Sequence, residues 1–174
     1  MPKTFYQYHW RVTKYNPEHR DIQGRYLRDQ WTFFAQVDTV VDGALLTLDE
    51  YMRWEDAYVL AARAFVSDSG LSGLRVVDLQ WTSQKATSGE PSDIALSSAD
   101  IRTGAFLTGS ALEGAIRLNL REIISCKLEE PGQIHVAFGW DYYMYIGTQS
   151  PSLAAVQTAS DCGLFVEAFE SPYV

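Results

Sequence analysis

The residues best suited to chemistry in this chain cluster in one short stretch, HVAFGWDYYMY, which begins at His135. The imidazole of His135 and the carboxylate of Asp141 could act as an acid/base pair with a nearby tyrosine. On an extended strand Tyr143 and Tyr145 share one face, and with Trp140 they could stack against a ring-bearing ligand. The competing interpretation is that these rings belong to the hydrophobic core. We predict a binding site at these five residues and assign no catalytic residue.

A second group of candidate binding residues lies near the N-terminus. Arg20, Arg25 and Arg28 fall within a short segment and surround Tyr26. Guanidinium groups beside a ring suit the recognition of carboxylate or phosphate, and such residues often anchor interfaces. The alternative is a solvated loop whose arginines pair with acidic residues of the same chain.

Charge is distributed unevenly along the 174 residues. The first 31 residues carry six Lys/Arg against three Asp/Glu, whereas the whole chain has a net charge of −8. General nucleic-acid binding requires a basic field, so the composition argues against nucleic acid as the partner. A protein partner, met through complementary charge, is the first expectation.

Familiar catalytic and cofactor motifs are absent from the sequence. It has no GxxxxGK[ST], GxGxxG, HExxH, CxxC or GxSxG pattern. Cys126 and Cys162 lack the spacing of metal ligands, and the apolar neighbours of Cys126 indicate an inert thiol. We therefore predict no metal and no cofactor, and we favour a protein without enzymatic activity while leaving that question open.

The clearest helix begins after Thr47, which forms a capping box with Glu50. Apolar residues then recur at helical spacing as far as Val66, and Gly70 supplies the stop, so the pattern predicts a helix over about 48–68. Residues 6–12, which alternate between apolar and polar, and the apolar run 74–81 predict strands.

A second helix is predicted from Ser110, which forms a capping box with Glu113, to about Cys126. Arg117 and Arg121 are four residues apart and share one face of this helix. They could form an anion site, but a charged and solvated helix face is the ordinary interpretation.

The remaining segments complete a single domain over 1–174. Residues 133–138 and 142–146 predict strands joined by a turn, followed by a short helix near 151–161 and a strand at 164–169. The Ser- and Gly-rich segment 83–99 predicts a mobile loop. The predicted fold class is α+β, with a mixed or antiparallel sheet packed against two longer helices and one short C-terminal helix.

No membrane or export signal is visible in the sequence. The N-terminal residues lack the apolar core of a signal peptide, and no apolar run is long enough to span a bilayer. We therefore expect a cytoplasmic protein without a membrane partner, and the oligomeric state is left open.

Four segments together resemble the pattern of a small bacterial protein family. They are WRVTKYNP at 10–17, WT at 31–32, LRE at 120–122 and GWDYYMY at 139–145, and the first and last carry the motifs WxVTKYNP and GxDYYMY. The resemblance is spread over most of the chain. It implies a single bacterial cytoplasmic domain of the accessory or defence-associated kind, and it brings no catalytic residues.

Three functions are compatible with these observations. The first is an accessory protein that binds a macromolecule, in its most concrete form an inhibitor or immunity-type protein that acts by covering a partner's surface. The second is a small-ligand-binding protein or enzyme with a site near the Trp140–Tyr145 hairpin, and a deep pocket with converging polar groups would favour it. The third is single-stranded nucleic-acid binding by the N-terminal segment.

Overall fold

The structure, a computed structural model, describes residues 6–82, 92–94, 96 and 99–173. These residues form nine strands and three α-helices. In chain order they are β1 (Tyr8–Thr13), β2 (Val40–Val41), β3 (Ala44–Leu45), α1 (Leu48–Asp68), β4 (Gly73–Trp81), β5 (Phe106–Thr108), α2 (Gly109–Leu120), β6 (Ile124–Glu130), β7 (Ile134–Phe138), β8 (Met144–Thr148), α3 (Leu153–Asp161) and β9 (Phe165–Ala168). No helix among the described residues has the length and apolar character that crossing a membrane requires.

Seven of the strands form one sheet in the order β5-β4-β6-β7-β8-β1-β9, and every neighbouring pair is antiparallel. β1, from the start of the chain, lies between β8 and β9, from its end. The strands β2 and β3 form a separate hairpin. The predicted α+β class is confirmed, with an antiparallel sheet, two longer helices and a shorter third one.

The helices cover one face of this sheet. Helix α1 begins as predicted, since the Thr47 hydroxyl accepts a hydrogen bond from the Glu50 N–H at 3.2 Å. Trp10 of β1 points towards α1, where its ring lies 6.4 Å from that of Phe65. Helix α1 packs in turn against α2 and α3, which places the main hydrophobic core between the sheet and the helices.

The opposite face, here called the outer face, is covered by aromatic side chains. Tyr6 was predicted to share a face with Trp10, but its ring lies across Gly147 and meets His135 edge-on at 4.6 Å. The difference arises because β1 begins only at Tyr8, so the strand alternation does not extend to Tyr6. A side chain at position 147 would collide with both rings, which explains the glycine there.

The second helix differs from its prediction at both ends. It begins at Gly109 rather than at Ser110, and Glu113 pairs with Arg63 instead of closing a capping box. It ends at Leu120 rather than near Cys126, because Glu122 adopts a left-handed φ of 56° that no helix can continue. The apolar residues beyond that point belong to β6.

Most of the predicted loop 83–99 lies outside the described residues. Where this segment is described, it is tied to the rest of the protein. Ile94 and Leu96 are buried against Gly114 of α2, and Asp93 pairs with Arg121. These residues are therefore part of the packed structure.

Candidate functional site

The predicted hairpin forms between β7 and β8, and it directs its tyrosines to opposite faces. The Gly139 N–H donates to the Tyr143 carbonyl at 2.7 Å. Asp141 and Tyr142 both have left-handed φ values, 59° and 65°. Tyr142 is buried beneath the helices, where its hydroxyl lies 2.6 Å from that of Tyr51. Tyr143, the next residue, lies on the outer face.

Rings from the hairpin continue into a surface that we call the aromatic–arginine face. Tyr143 lies 5.4 Å from Tyr15 and 6.4 Å from Tyr145 between ring centroids. Arg20 donates from Nη1 to the Tyr143 hydroxyl at 2.9 Å and also lies over the ring of Tyr26. The members of this face share ring or cation–π contacts, and they are Tyr15, Tyr26, Tyr143, Tyr145, Phe169, Tyr173, Arg11 and Arg20. Four of the nine predicted binding residues therefore come together here.

The cationic character predicted for the N-terminal segment is largely neutralised. Arg25 pairs with Asp21 at 2.7 Å, and Arg11 pairs with Glu167 of β9 at 3.1 Å. Arg28 is exposed and makes no ion pair with any described residue. Among the described residues, neither Arg25 nor Arg28 contacts a ring of the aromatic–arginine face.

Lys14 is buried in the same region. Its Nζ donates to Gln30 Oε1 at 3.0 Å and lies 4.1 Å from the ring of Trp31 and 4.3 Å from that of Tyr15. Burial lowers the pKa of the Lys14 ammonium to about 7, against the opposing influence of Asp141. Lys14 itself is therefore not available to a partner.

His135 and Asp141 do not form the acid/base pair considered from the sequence. His135 is 1% exposed beneath Tyr6, near the start of β7, whereas Asp141 is exposed in the turn beyond its end. Neither ring nitrogen of His135 has a hydrogen-bond partner among the described residues. Burial lowers the pKa of His135 to about 4, with His9 and Lys127 adding to the effect. His135 is therefore neutral at physiological pH.

A second feature next to the hairpin is a gap in the sheet. Leu128 and Val136 form the last residue pair of the β6–β7 ladder, yet β6 starts at Ile124 and β7 continues to Phe138. The two strands therefore run on without pairing. A cleft of about 350 Å³ lies at this end, and we call it the strand-gap cleft. It is lined by residues 124–127 and 137–140 together with Asp78, Gln80, Thr82, Asn119, Glu122 and Tyr173.

Asn119 of α2 holds the edge of this gap. The N–H of Gly139 faces β8, so those of Phe138 and Val136 face β6, and by the same alternation that of Cys126 faces β7. The Cys126 N–H instead donates to Asn119 Oδ1 at 3.0 Å. The Asn119 Nδ2 is also satisfied, since it donates at 2.9 Å to a carbonyl one helical turn earlier. The Cys126 N–H, which has no partner on β7, is thus satisfied by Asn119. The gap between the strands therefore leaves this backbone amide hydrogen-bonded, as a stable feature of the fold requires.

Charged side chains of both signs line the strand-gap cleft. Asp78, Glu122 and Lys127 make no ion pair with any described residue. Burial raises the pKa of the Glu122 carboxyl, and the charge of Asp141 adds to that effect. Asp78 and Glu122 also have left-handed φ values of 55° and 56°, a conformation that costs free energy outside glycine.

Trp140 and Cys126 contribute differently to the same cleft. Trp140 is 73% exposed at the hairpin tip, so its ring is available to a ligand. Burial raises the pKa of the Cys126 thiol to about 11, which keeps it protonated and unreactive, as the sequence suggested. Trp140 therefore offers a contact for binding, whereas the Cys126 thiol is not an activated nucleophile.

The densest charged cluster among the described residues was not predicted. We call it the Glu55 network. Glu55 is fully buried and accepts hydrogen bonds from Arg121 at 2.7 and 2.9 Å and from Arg117 at 2.7 Å. Tyr51 donates to the same carboxylate, and Asp93 takes up the other edge of Arg121 at 2.7 and 3.0 Å. The two arginines thus form neither an anion site nor a solvated helix face.

A sequence signal for these buried polar groups existed. Glu55 follows Tyr51 by four residues and precedes Tyr58 by three, so it lies on the apolar stripe of α1. Asn119 follows Ile116 by three residues on the stripe of α2. A polar residue on an otherwise apolar helix stripe requires a buried partner.

No metal site is evident in the part of the chain that the structure describes, where no three His, Cys, Asp or Glu side chains are grouped to hold an ion. Comparison with protein-family models, with curated proteins and with solved structures finds no match to this chain. The resemblance noted in the sequence stays a prediction, and the function has to be inferred from the site itself.

Proposed function

We propose that this protein binds a small ligand in the strand-gap cleft. The observation that carries the proposal is the early end of the β6–β7 ladder, which opens a cavity of about 350 Å³ beside the Trp140 hairpin. The cleft lies beside the hairpin at which a ligand site was predicted, and Trp140 is the predicted residue that lines it. Its volume lies near the lower end of the range for small-molecule sites.

The charges of the cleft support binding rather than a purely structural role. Elsewhere in the described structure the buried charges of the Glu55 network are fully paired, as stability requires. The half-buried Glu122 and Lys127 and the exposed Asp78 have no such partners among the described residues, and the backbones of Asp78 and Glu122 are left-handed. Strain and unpaired charge lower stability and tend to persist where a ligand uses them.

A cleft-filling substitution tests this proposal. Ser125 is exposed on β6 and lines the cleft, whereas Ser67 is exposed on α1 away from it. We expect that a panel of amino acids, polyamines, nucleosides and sugars contains a compound that raises the melting temperature of the wild-type protein and of Ser67→Trp. The same compound should leave Ser125→Trp unchanged, because the indole occupies its site. An equal shift in all three proteins, or no shift with any compound, would contradict the proposal.

The aromatic–arginine face supports a second function, the binding of a protein partner. The specific observation is that Arg20 forms no ion pair with a described carboxylate, while Phe169 and Tyr173 are 41% and 38% exposed at the rim of the face. Arginine and aromatic residues contribute strongly to interfaces. An inhibitor or immunity-type protein would use this surface to cover a partner.

Affinity capture from a bacterial lysate, with nuclease added, tests that second function. We expect one dominant protein to be retained by the wild type, lost with Arg20→Ala combined with Phe169→Ala, and kept with Arg28→Ala. Capture that is the same for all three proteins would rule out this face as the interface.

A further inference from the structure

The strand-gap cleft brings together opposite charges that do not pair with each other. Lys127 lies on β6 with its partner Val77 on β4. The register between β4 and β6 breaks after Val77, and Asp78 stands at this break. Glu122 lies in the turn between α2 and β6. Two acidic residues and one lysine thus line one cavity from three separate positions, and no ion pair between them is found among the described residues.

The rest of the lining is mixed, with polar side chains at Gln80, Thr82, Asn119 and Ser125 and apolar or aromatic ones beside them. Trp140 and Tyr173 belong to it, and Ile124 and Phe138 come from the two strands that part. An apolar group seated among these residues would be removed from water, while charged groups of the same ligand would meet the charged side chains. Desolvation by the ligand would strengthen those contacts.

We infer that the ligand of the strand-gap cleft is a zwitterion of amino-acid type, with an apolar side chain. Its ammonium group is bound by Asp78 and Glu122, its carboxylate by Lys127, and its side chain by Trp140 and Tyr173. This inference rests on the proposed function, since it names the ligand class of the same cleft. The cavity of about 350 Å³ suits a molecule of this size.

A ligand of this class is distinguishable from the end of a peptide. A peptide N-terminus supplies the ammonium without a nearby carboxylate, and a C-terminus supplies the carboxylate without a nearby ammonium. A free amino acid supplies both. Removing one ligand charge leaves a partly buried protein charge unsatisfied, so we expect at least about a tenfold loss of affinity for either blocked form.

Isothermal titration with four probes tests the inference. The probes are L-leucine, L-phenylalanine, N-acetyl-L-phenylalanine, which lacks the ammonium, and L-phenylalaninamide, which lacks the carboxylate. We expect the wild type to bind at least one of the two free amino acids and to bind both blocked forms at least about tenfold more weakly than L-phenylalanine.

Two variants assign the charges. Lys127→Gln should remove the preference for L-phenylalanine over its amide, and Glu122→Gln should reduce the preference over its N-acetyl form. Arg102→Gln removes a positive charge and Glu170→Gln a negative charge at exposed positions outside the cleft, and both variants should bind as the wild type does.

The outcomes separate this inference from the proposed function. If the wild type binds the free and the capped amino acids equally well, and Ser125→Trp abolishes that binding, the zwitterion is wrong but the cleft remains a ligand site. Binding of a neutral compound alone has the same meaning. Tight binding of only one blocked form overturns the free amino acid in favour of a peptide end. Absence of any cleft ligand overturns both.

Discussion

The Glu55 network and the strand-gap cleft lie on two sides of α2 and treat their charges in opposite ways. In the Glu55 network a fully buried carboxylate is held by two arginines, one of which is also paired with Asp93. In the cleft, Glu122 and Lys127 face the same cavity without ion pairs to the described residues. The first arrangement stabilises the packing of α1, α2 and the segment near residue 93. The second leaves charge available.

This difference separates structural from functional charge on physical grounds. Removing one partner of a buried ion pair is strongly destabilising, because the other charge is left buried and uncompensated. Unpaired charges that line a cavity contribute little to stability, so their role is better explained by the binding of a ligand. Substitutions in the two regions should therefore change different properties.

The largest effect is expected from breaking the Glu55 network. Arg121→Met leaves Glu55 buried with one cation fewer, and we expect the free energy of unfolding to fall by about 3–5 kcal/mol in chemical denaturation. Arg53→Met is the matched control, because Arg53 forms an exposed pair with Glu50. Its loss should cost less than about 1 kcal/mol. Equal losses for the two variants would show that the network has no special weight.

Lys14 sharpens the comparison, because it is buried as deeply as the network but has no carboxylate partner among the described residues. Its pKa falls from 10.5 to about 7 on folding, so between these pH values the unfolded chain binds one more proton than the folded chain. The wild type therefore gains stability as pH rises through this window, and Lys14→Met lacks that gain.

The measurement is the free energy of unfolding of both proteins at about pH 7 and about pH 10. We expect the stability of Lys14→Met relative to the wild type to fall by about 3 kcal/mol between the two conditions. A pH-independent difference would mean that Lys14 keeps its ordinary pKa.

Asn119 stands between the two regions, as a buried polar residue that serves the cleft. Asn119→Leu leaves the Cys126 N–H without its acceptor, and we expect a loss of about 1–3 kcal/mol in the free energy of unfolding. Asn119→Asp keeps the acceptor oxygen and provides the comparison by hydrogen exchange at Cys126. Unchanged protection of that amide in the leucine variant would contradict the role assigned to Asn119.

The smallest effect on stability is expected within the cleft. Glu122→Gln and Lys127→Gln remove unpaired charges, so the free energy of unfolding should change by no more than about 0.5 kcal/mol in either direction. Glu122→Gln should be neutral or slightly stabilising, since the folded protein already raises the pKa of this carboxyl. A loss comparable to that of Arg121→Met would make the cleft charges structural.

Periodicity and capping predicted much of the fold. Helix α1 covers Leu48–Asp68 because the Thr47 N-cap and a long apolar stripe agree, although the Glu50 carboxylate pairs with Arg53 instead of closing the capping box. The strands on either side of the Trp140 turn follow from alternation. The predicted end of α2 was wrong because Ile123 and Ile124 continue the helical spacing of apolar residues. The left-handed backbone at Glu122, which ends the helix, is not visible in that spacing.

The candidate site was less accessible from sequence. The hairpin was found because its aromatic residues are adjacent in the chain. The cleft depends on where a ladder ends and on the contact between Asn119 and Cys126, which are set by tertiary packing. The Glu55 network depends likewise on contacts between residues far apart in sequence, and Arg117 and Arg121 on a helix face carry no mark of their partners.

The position of β1 has a consequence for how the protein is made. Val12 pairs with Met144 on one side and with Val166 on the other, so β1 has no partner in the sheet until synthesis has reached those later residues. While α1 and the strands β4 to β7 emerge, β1 exposes its apolar side chains and both of its edges. Closing such long loops slows folding. We therefore expect β1 to be the segment of the nascent chain most in need of a chaperone.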